Sequence, residues 1–247
     1  MSRVKIIIPA RYSSTRLPGK PLKKILGKEM IIRVADICSK TLNKRDVIIA
    51  TDNFLIKKTC ENYNFKSVLT PKKCKTGTDR VFFAAKKIKS DFYVNVQGDE
   101  PLIKPSDIKK IIEKKERFKN HIICGYCEVN FNDAKSKNIP KVVINNHSDL
   151  LYISRSLIPG TKKNKKTKKI NYLKQVCIYA FNFKELKKFH SFYNKSLIEN
   201  IEDIEILRFF DLKMPIKMVK VSNKSVSVDV KKDLEKVTRI IKKNERN

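Results

Sequence analysis

Apolar runs of four or five residues alternate with apolar positions at helical spacing through the first 120 residues. Residues 4–8 form a β-branched run that predicts a buried strand, and Met30, Ile31, Val34, Ala35 and Cys38 then recur on one helical face. A second strand is predicted over 46–50 and a helix through Ile56 and Cys60. A third strand over 66–69 precedes a helix over 78–88, and a fourth spans 92–96. The helix after it starts at Pro105 or Ser106, with Ile108, Ile111 and Ile112 facing inward. This βαβαβαβ order predicts an α/β fold built on a doubly wound, mostly parallel sheet.

Beyond residue 120 the rhythm changes. Strands are predicted over 121–130, 141–145, 151–154, 174–181 and 215–221, with only two further helices, over 200–210 and 231–242. Some of these strands are expected to extend the sheet in mixed orientation, and others to build a small lobe from about 121–200. The expected organisation is one domain over 1–247 carrying that lobe.

Composition changes this picture little. At 247 residues and 41% apolar content the chain can bury a full core, and no apolar run approaches a membrane span. Residues 6–8 are stopped by Pro9, too short for a signal-peptide core, so a soluble cytoplasmic protein is expected. Six scattered cysteines read as reduced thiols. The Cys124/Cys127 pair has no second pair or nearby histidine to complete a zinc site, and on a strand the two thiols face opposite ways.

A net charge of +31 invites a nucleic-acid reading. Yet 45 lysines stand against 11 arginines, sprinkled along predicted helix surfaces, and no nucleic-acid recognition motif interrupts them. The densest cluster, 162–169, reads as a solvated loop or as a flap beside an anionic ligand. No nucleic-acid or membrane partner is expected, and a basic nucleic-acid-binding protein is the remote alternative.

Candidate chemistry concentrates in two loops that leave buried strands. The first, over 9–21, presents Arg11, Arg16 and Lys20 on a segment stiffened by Pro18, Gly19 and Pro21, with donors from Ser13, Ser14 and Thr15. Lysine is a compact donor to a phosphate oxygen, whereas arginine bridges two. The order matches neither a Walker loop nor a dinucleotide fingerprint. The second loop, over 97–101, brings out Asp99 beside Glu100 after Gly98, a hard oxygen ligand suited to Mg²⁺ or a cap for the next turn. If strands 4–8 and 92–96 are neighbours, the two loops meet above the carboxyl edge of the sheet. The run 76–80 (Thr-Gly-Thr-Asp-Arg) reads as a helix start able to approach a base or phosphate, or as an ordinary N-cap. Asp229 caps the last helix or reaches the same metal.

Taken in order, residues 10–22, 50–52, 76–80, 95–101, 151–156 and 201–208 resemble the 3-deoxy-manno-octulosonate cytidylyltransferase (CMP-Kdo synthetase) family over about residues 3–240. The resemblance implies a nucleotidyltransferase-type sheet with a small mixed dimerisation lobe and a homodimer. It implies that CTP and a 2-keto-3-deoxy sugar acid give the CMP-sugar and pyrophosphate, with Mg²⁺ as cofactor, in lipopolysaccharide supply. It places Arg16, Lys20 and Asp99 as catalytic residues. Ala10, Arg11, Ser13, Arg16, Lys20, Gly77, Arg80 and Gln97 would hold CTP, and Asp99 and Asp229 the metal. Arg155, Gln175, Tyr179, Glu205 and Ile206 would line the sugar side.

Three departures stand out against that family. Gln175 and Cys177 replace a usual His and Gly, Ile206 replaces a usual Gln, and Val230-Lys231-Lys232-Asp233 replaces Thr-Pro-Glu-Asp. The first two point to an acceptor other than Kdo, such as an amino-substituted or longer sugar acid, because a buried polar contact would be missing there.

Overall fold

A computed structural model describes residues 2–160, 162, 170–192, 194–223 and 225–245. Apart from Lys162, the basic cluster at 162–169 lies outside the described residues. The first half reads β1 (Val4–Ala10), a short hairpin β2 (Lys24–Ile25) and β3 (Lys28–Glu29), α1 (Met30–Ser39), β4 (Val47–Thr51), α2 (Phe54–Asn62), β5 (Lys66–Leu69), α3 (Gly77–Lys87), β6 (Phe92–Val96) and α4 (Pro105–Arg117). The second half reads β7 (Ile122–Val129), α5 (Phe131–Ala134), β8 (Lys141–Ile144), β9 (Leu150–Ser154), β10 (Tyr172–Phe181), α6 (Phe183–Ser191), α7 (Leu197–Glu202), α8 (Arg208–Asp211), β11 (Ile216–Lys220) and α9 (Lys231–Asn244).

Nine strands form one sheet with the order β11-β7-β10-β6-β1-β4-β5, and β8 joins through β10 while pairing with β9. β1 pairs in parallel with β4 on one side and β6 on the other, so Ile6 lies between Val47 and Val94. The predicted neighbour relation between strands 4–8 and 92–96 is therefore met. β10 runs antiparallel to β6 and β7, while β11 returns parallel to β7, which makes the second half mixed.

Alternation along β1 shows why these residues make a central strand. Ile6 and Ile8 point into a core with Ile31, Val34, Ile56 and Ile108, whereas Ile7 points into the other with Val81, Ala84, Leu186 and Phe209. Helices α1, α2 and α4 thus cover one face and α3, α6 and α8 the other. Each fully buried isoleucine contributes about 1.5–3 kcal/mol relative to exposure. β7 behaves alike: Cys124 and Cys127 enter opposite cores, both as free thiols. A third, smaller core of Leu17, Ile25, Met30, Val228, Val237 and Ile241 ties the first loop and the hairpin to α9.

The predicted helix over 200–210 is broken. α7 ends at Glu202, capped by Asp203, whose φ of 49° is left-handed, and a 3₁₀ turn over 205–207 intervenes before α8. That break redirects the side chains after it. α6 goes unseen in the hydrophobic pattern, although Asn182 and Glu185 form a reciprocal capping box at its start.

Candidate active site

The first two candidate loops converge at the carboxyl edge of β1 and β6. Lys20 Nζ lies 2.5 Å from Asp99 Oδ2 and 3.3 Å from Asp229 Oδ1, bridging carboxylates from segments 130 residues apart. Arg16 Nη2 donates to the same Asp229 oxygen at 3.1 Å. The Val228 amide donates to the Asp99 carbonyl at 2.9 Å, so the two acidic segments are joined through backbone as well. Burial works against the Lys20 ammonium, but Asp99 and Asp229 more than offset it and hold its pKa above the usual lysine value. The charge is therefore fixed at neutral pH.

These residues open onto a cleft of about 240 Å³ whose walls include Ala10, Arg11, Lys20, Asp99 and Asp229, and, opposite them, Gly77, Arg80 and Gln97. Two glycines are needed for this closeness. A Cβ on Gly98 would stand 3.0 Å from the Pro9 carbonyl oxygen, and one on Gly77 would stand 3.0 Å from Gln97 Nε2. Arg11 and Arg16 are exposed, Arg16 with one donor on Asp229. Ser13 is exposed on the same loop and does not line the cleft.

The turn opposite is a helix start held on both sides. Thr76 and Asp79 form a capping box, and the Thr78 amide donates to Glu205 Oε2 at 3.1 Å. Arg80 lines the cleft, and its guanidinium also braces the surrounding loops. Its guanidinium is buried, giving Nη1 to Thr70 Oγ1 at 2.6 Å and Nη2 to Asp52 Oδ2 at 3.1 Å. Asp52 also accepts the Tyr12 amide at 3.1 Å, which ties the first loop to β4. No role was read for Asp52 from sequence. Its signal was an acid at the end of a strand adjoining the first, on the same sheet edge.

The residues expected on the sugar side divide. Gln175, Tyr179 and Glu205 gather on the inner side: Gln175 Nε2 donates to Tyr179 Oη at 3.0 Å, and the Glu205 charge acts on Tyr179, whose hydroxyl burial holds well above its ordinary pKa. Burial also raises Glu205, against the pull of donors from Thr78 and Thr76. Arg155 does not join them. Its guanidinium is spent on four backbone carbonyls, those of Glu202, Asp203, Lys137 and Asn138. Ile206 is 1% exposed and packs in the core with Leu207 and Phe209, because the 3₁₀ turn after Asp203 faces it inward.

Glu100, adjacent to Asp99, is buried and accepts a hydrogen bond from Ser225. Burial, reinforced by the Asp99 charge, pushes its carboxyl up to about 7. Among the described residues no cluster of three or more His, Cys, Asp or Glu side chains is placed to hold a metal. A pair of carboxylates sharing one cation is instead the arrangement that suits Mg²⁺, which takes one or two protein carboxylates and fills its shell with phosphate and water.

Comparison with known proteins agrees with this geometry. A family profile described as cytidylyltransferase matches residues 5–216. The 3-deoxy-manno-octulosonate cytidylyltransferase of Escherichia coli is 34% identical over 238 residues, covering 96% of this chain and 95% of the relative. The mitochondrial enzyme of that name from Arabidopsis thaliana is 33% identical, covering 100% of this chain and 85% of the relative. A solved CMP:2-keto-3-deoxy-manno-octonic acid synthetase complexed with CTP superposes with a TM-score of 0.92 at 33% identity, over 98% of this chain and 100% of that one. A Bacillus anthracis structure assigned as a glucose-1-phosphate thymidylyltransferase, 15% identical with a TM-score of 0.70 over 96% of this chain and 94% of that one, shares the fold alone.

Proposed function

The chain belongs to the 3-deoxy-manno-octulosonate cytidylyltransferase family, and we propose that it transfers CMP from CTP to the anomeric hydroxyl of 3-deoxy-manno-octulosonate (Kdo), releasing pyrophosphate. One observation carries the reading: Lys20 stands between Asp99 and Asp229 at the mouth of a cleft whose far wall is a glycine turn. The sugar hydroxyl attacks the α-phosphorus as pyrophosphate departs in line, and both reactants are anions. Arg11, Arg16 and Lys20 supply fixed positive charge against that repulsion and toward the leaving group. Gly77 and Gln97 form the wall against which the nucleoside rests. Ala10, at the buried end of β1, leaves room at the cleft floor.

Asp99 and Asp229 would hold Mg²⁺, with Lys20 marking the cation position between them in the absence of nucleotide. The metal, when bound, neutralises phosphate charge and polarises the phosphorus. The chain's own part is to orient the triphosphate and keep the two carboxylates convergent. Gln175 and Tyr179 offer polar groups on the inner side, and the acceptor is proposed to lie there.

We further propose a homodimer. Leu197 and Ile201, one helical turn apart on α7, are 77% and 72% exposed. Leu151 and Tyr152 are exposed on β9, which meets the end of α7 through the Ser154–Glu202 hydrogen bond. A second copy would cover this apolar face. Six free thiols suit a reducing cytoplasm, where CTP is supplied, and no helix among the described residues is long and apolar enough to cross a membrane.

Pyrophosphate release from CTP tests the reading. It should require both Mg²⁺ and Kdo. No release with Kdo, under conditions where the protein is folded, would refute it. A monomeric mass at working concentration would refute the dimer.

A further inference from the structure

Glu205 occupies an unusual place. It lies in the 3₁₀ turn over 205–207, between Ile206 and Leu207 in the core and the α3 helix start, and it does not line the cleft. Its Oε2 accepts the Thr78 amide at 3.1 Å, while the Thr76 hydroxyl donates to Asp79 Oδ2 at 2.9 Å. A helix start leaves its first amides without partners inside the helix. The capping box serves Asp79 and Thr76, and Glu205 serves Thr78 from 127 residues away. Between those two anchors sits Gly77, where a Cβ would come within 3.0 Å of the Gln97 amide, so the turn and Gln97 are packed closely together.

We propose that Glu205 is a positioning residue for nucleotide binding: it clamps the Thr76–Gly77–Thr78 turn against Gln97 and so shapes the wall that receives the nucleoside. Its effect passes through the turn, not through direct contact with CTP. This rests on the cytidylyltransferase reading for the ligand, though the clamp itself does not.

Three substitutions separate positioning from general structure. Glu205→Asp keeps the charge but draws the oxygens back from Thr78. Glu205→Gln keeps an acceptor at the original reach. Glu205→Ala removes it. Two measurements apply: amide hydrogen exchange over residues 76–80 in the unliganded protein, and equilibrium binding of CTP with Mg²⁺ in the absence of sugar acid.

Faster exchange at 76–80 and about tenfold weaker CTP binding are expected for Glu205→Asp, at an unchanged melting temperature, with Gln restoring binding to within about threefold. Ala should be weakest, and if it fails to fold the Asp–Gln contrast still decides. Wild-type exchange and wild-type CTP affinity in Glu205→Asp would overturn the proposal, as would a change confined to the KM of the sugar acid. If the wild-type protein bound no CTP, the nucleotide reading would fail by itself, and the exchange measurement would still decide whether Glu205 holds the turn.

Discussion

In the loops above β1 and β6, charged side chains meet one another at the cleft, as Lys20, Asp99, Asp229 and Arg16 do. Around β10, β7 and the helices after them, charges are buried and spent internally. Lys115 gives its ammonium to the Glu185 carboxylate and to two carbonyls. Lys141 gives its own to three carbonyls, and Arg208 holds Glu199 through two hydrogen bonds of 2.6 and 2.7 Å. The loops at the cleft keep Arg11 and Arg16 exposed, with one Arg16 donor on Asp229. The region around β10 and β7 uses cations to join strands and helices whose mixed order leaves carbonyls and carboxylates inside. A motif arginine therefore means different things by its place: Arg16 is exposed with one donor on Asp229, whereas Arg80 and Arg155 are struts.

Four substitutions or modifications sharpen that contrast, in falling order of effect. Asp99→Asn should cut pyrophosphate release about 10³-fold or more while leaving the fold intact. Near-normal turnover would remove Asp99 from the metal site and dissolve the functional half of the comparison. Arg208→Ala should cost about 3–5 kcal/mol of stability in denaturant unfolding, because Glu199 is left buried without its partner. A loss below 1 kcal/mol would mean that the buried ion pair contributes little.

Arg155→Ala should lower stability by roughly 1–3 kcal/mol, since four carbonyls lose a shared donor. CTP affinity should stay unchanged. A rise in the KM of the sugar acid at unchanged melting temperature would restore Arg155 to substrate binding. The smallest effect concerns thiols. Cys74 lines the cleft and is only partly buried, with burial raising it to about 11. Cys60 and Cys177 are pushed up to about 12. Slow alkylation should reach Cys74 before the others, and CTP should protect it. Mass spectrometry after brief labelling checks this, and first modification at Cys177 would contradict it.

Much of the nucleotide half was legible along the chain because parallel strands are continuous apolar runs and the loop at each carboxyl end follows directly. The period-2 alternation of Ile6, Ile7 and Ile8 called for a strand covered on both faces, and the next residues had to be the loop. The acceptor side resisted for a local reason. The left-handed Asp203 breaks what reads as one helix, and the frame it resets sends Ile206 into the core and leaves Glu205 against α3. A helical wheel carried through from residue 200 cannot register that turn. The protein partners of Arg80 and Arg155 were illegible for another reason, since a guanidinium looks the same in sequence whether it faces a ligand or other parts of the chain.

By itself the chain determined the alternation of strands and helices, the two loops with their cations and acid, and the family these motifs resemble. Those are properties of neighbouring residues, decided by backbone preference and side-chain chemistry within a few turns. Only the tertiary structure decided that Asp229 comes to Lys20 across 209 positions, that Glu205 reaches Thr78 across 127, and that Arg80 and Arg155 spend their donors on protein. Such pairings depend on strand order and on one break in a helix, and those depend on the packing of the whole sheet rather than on any local segment.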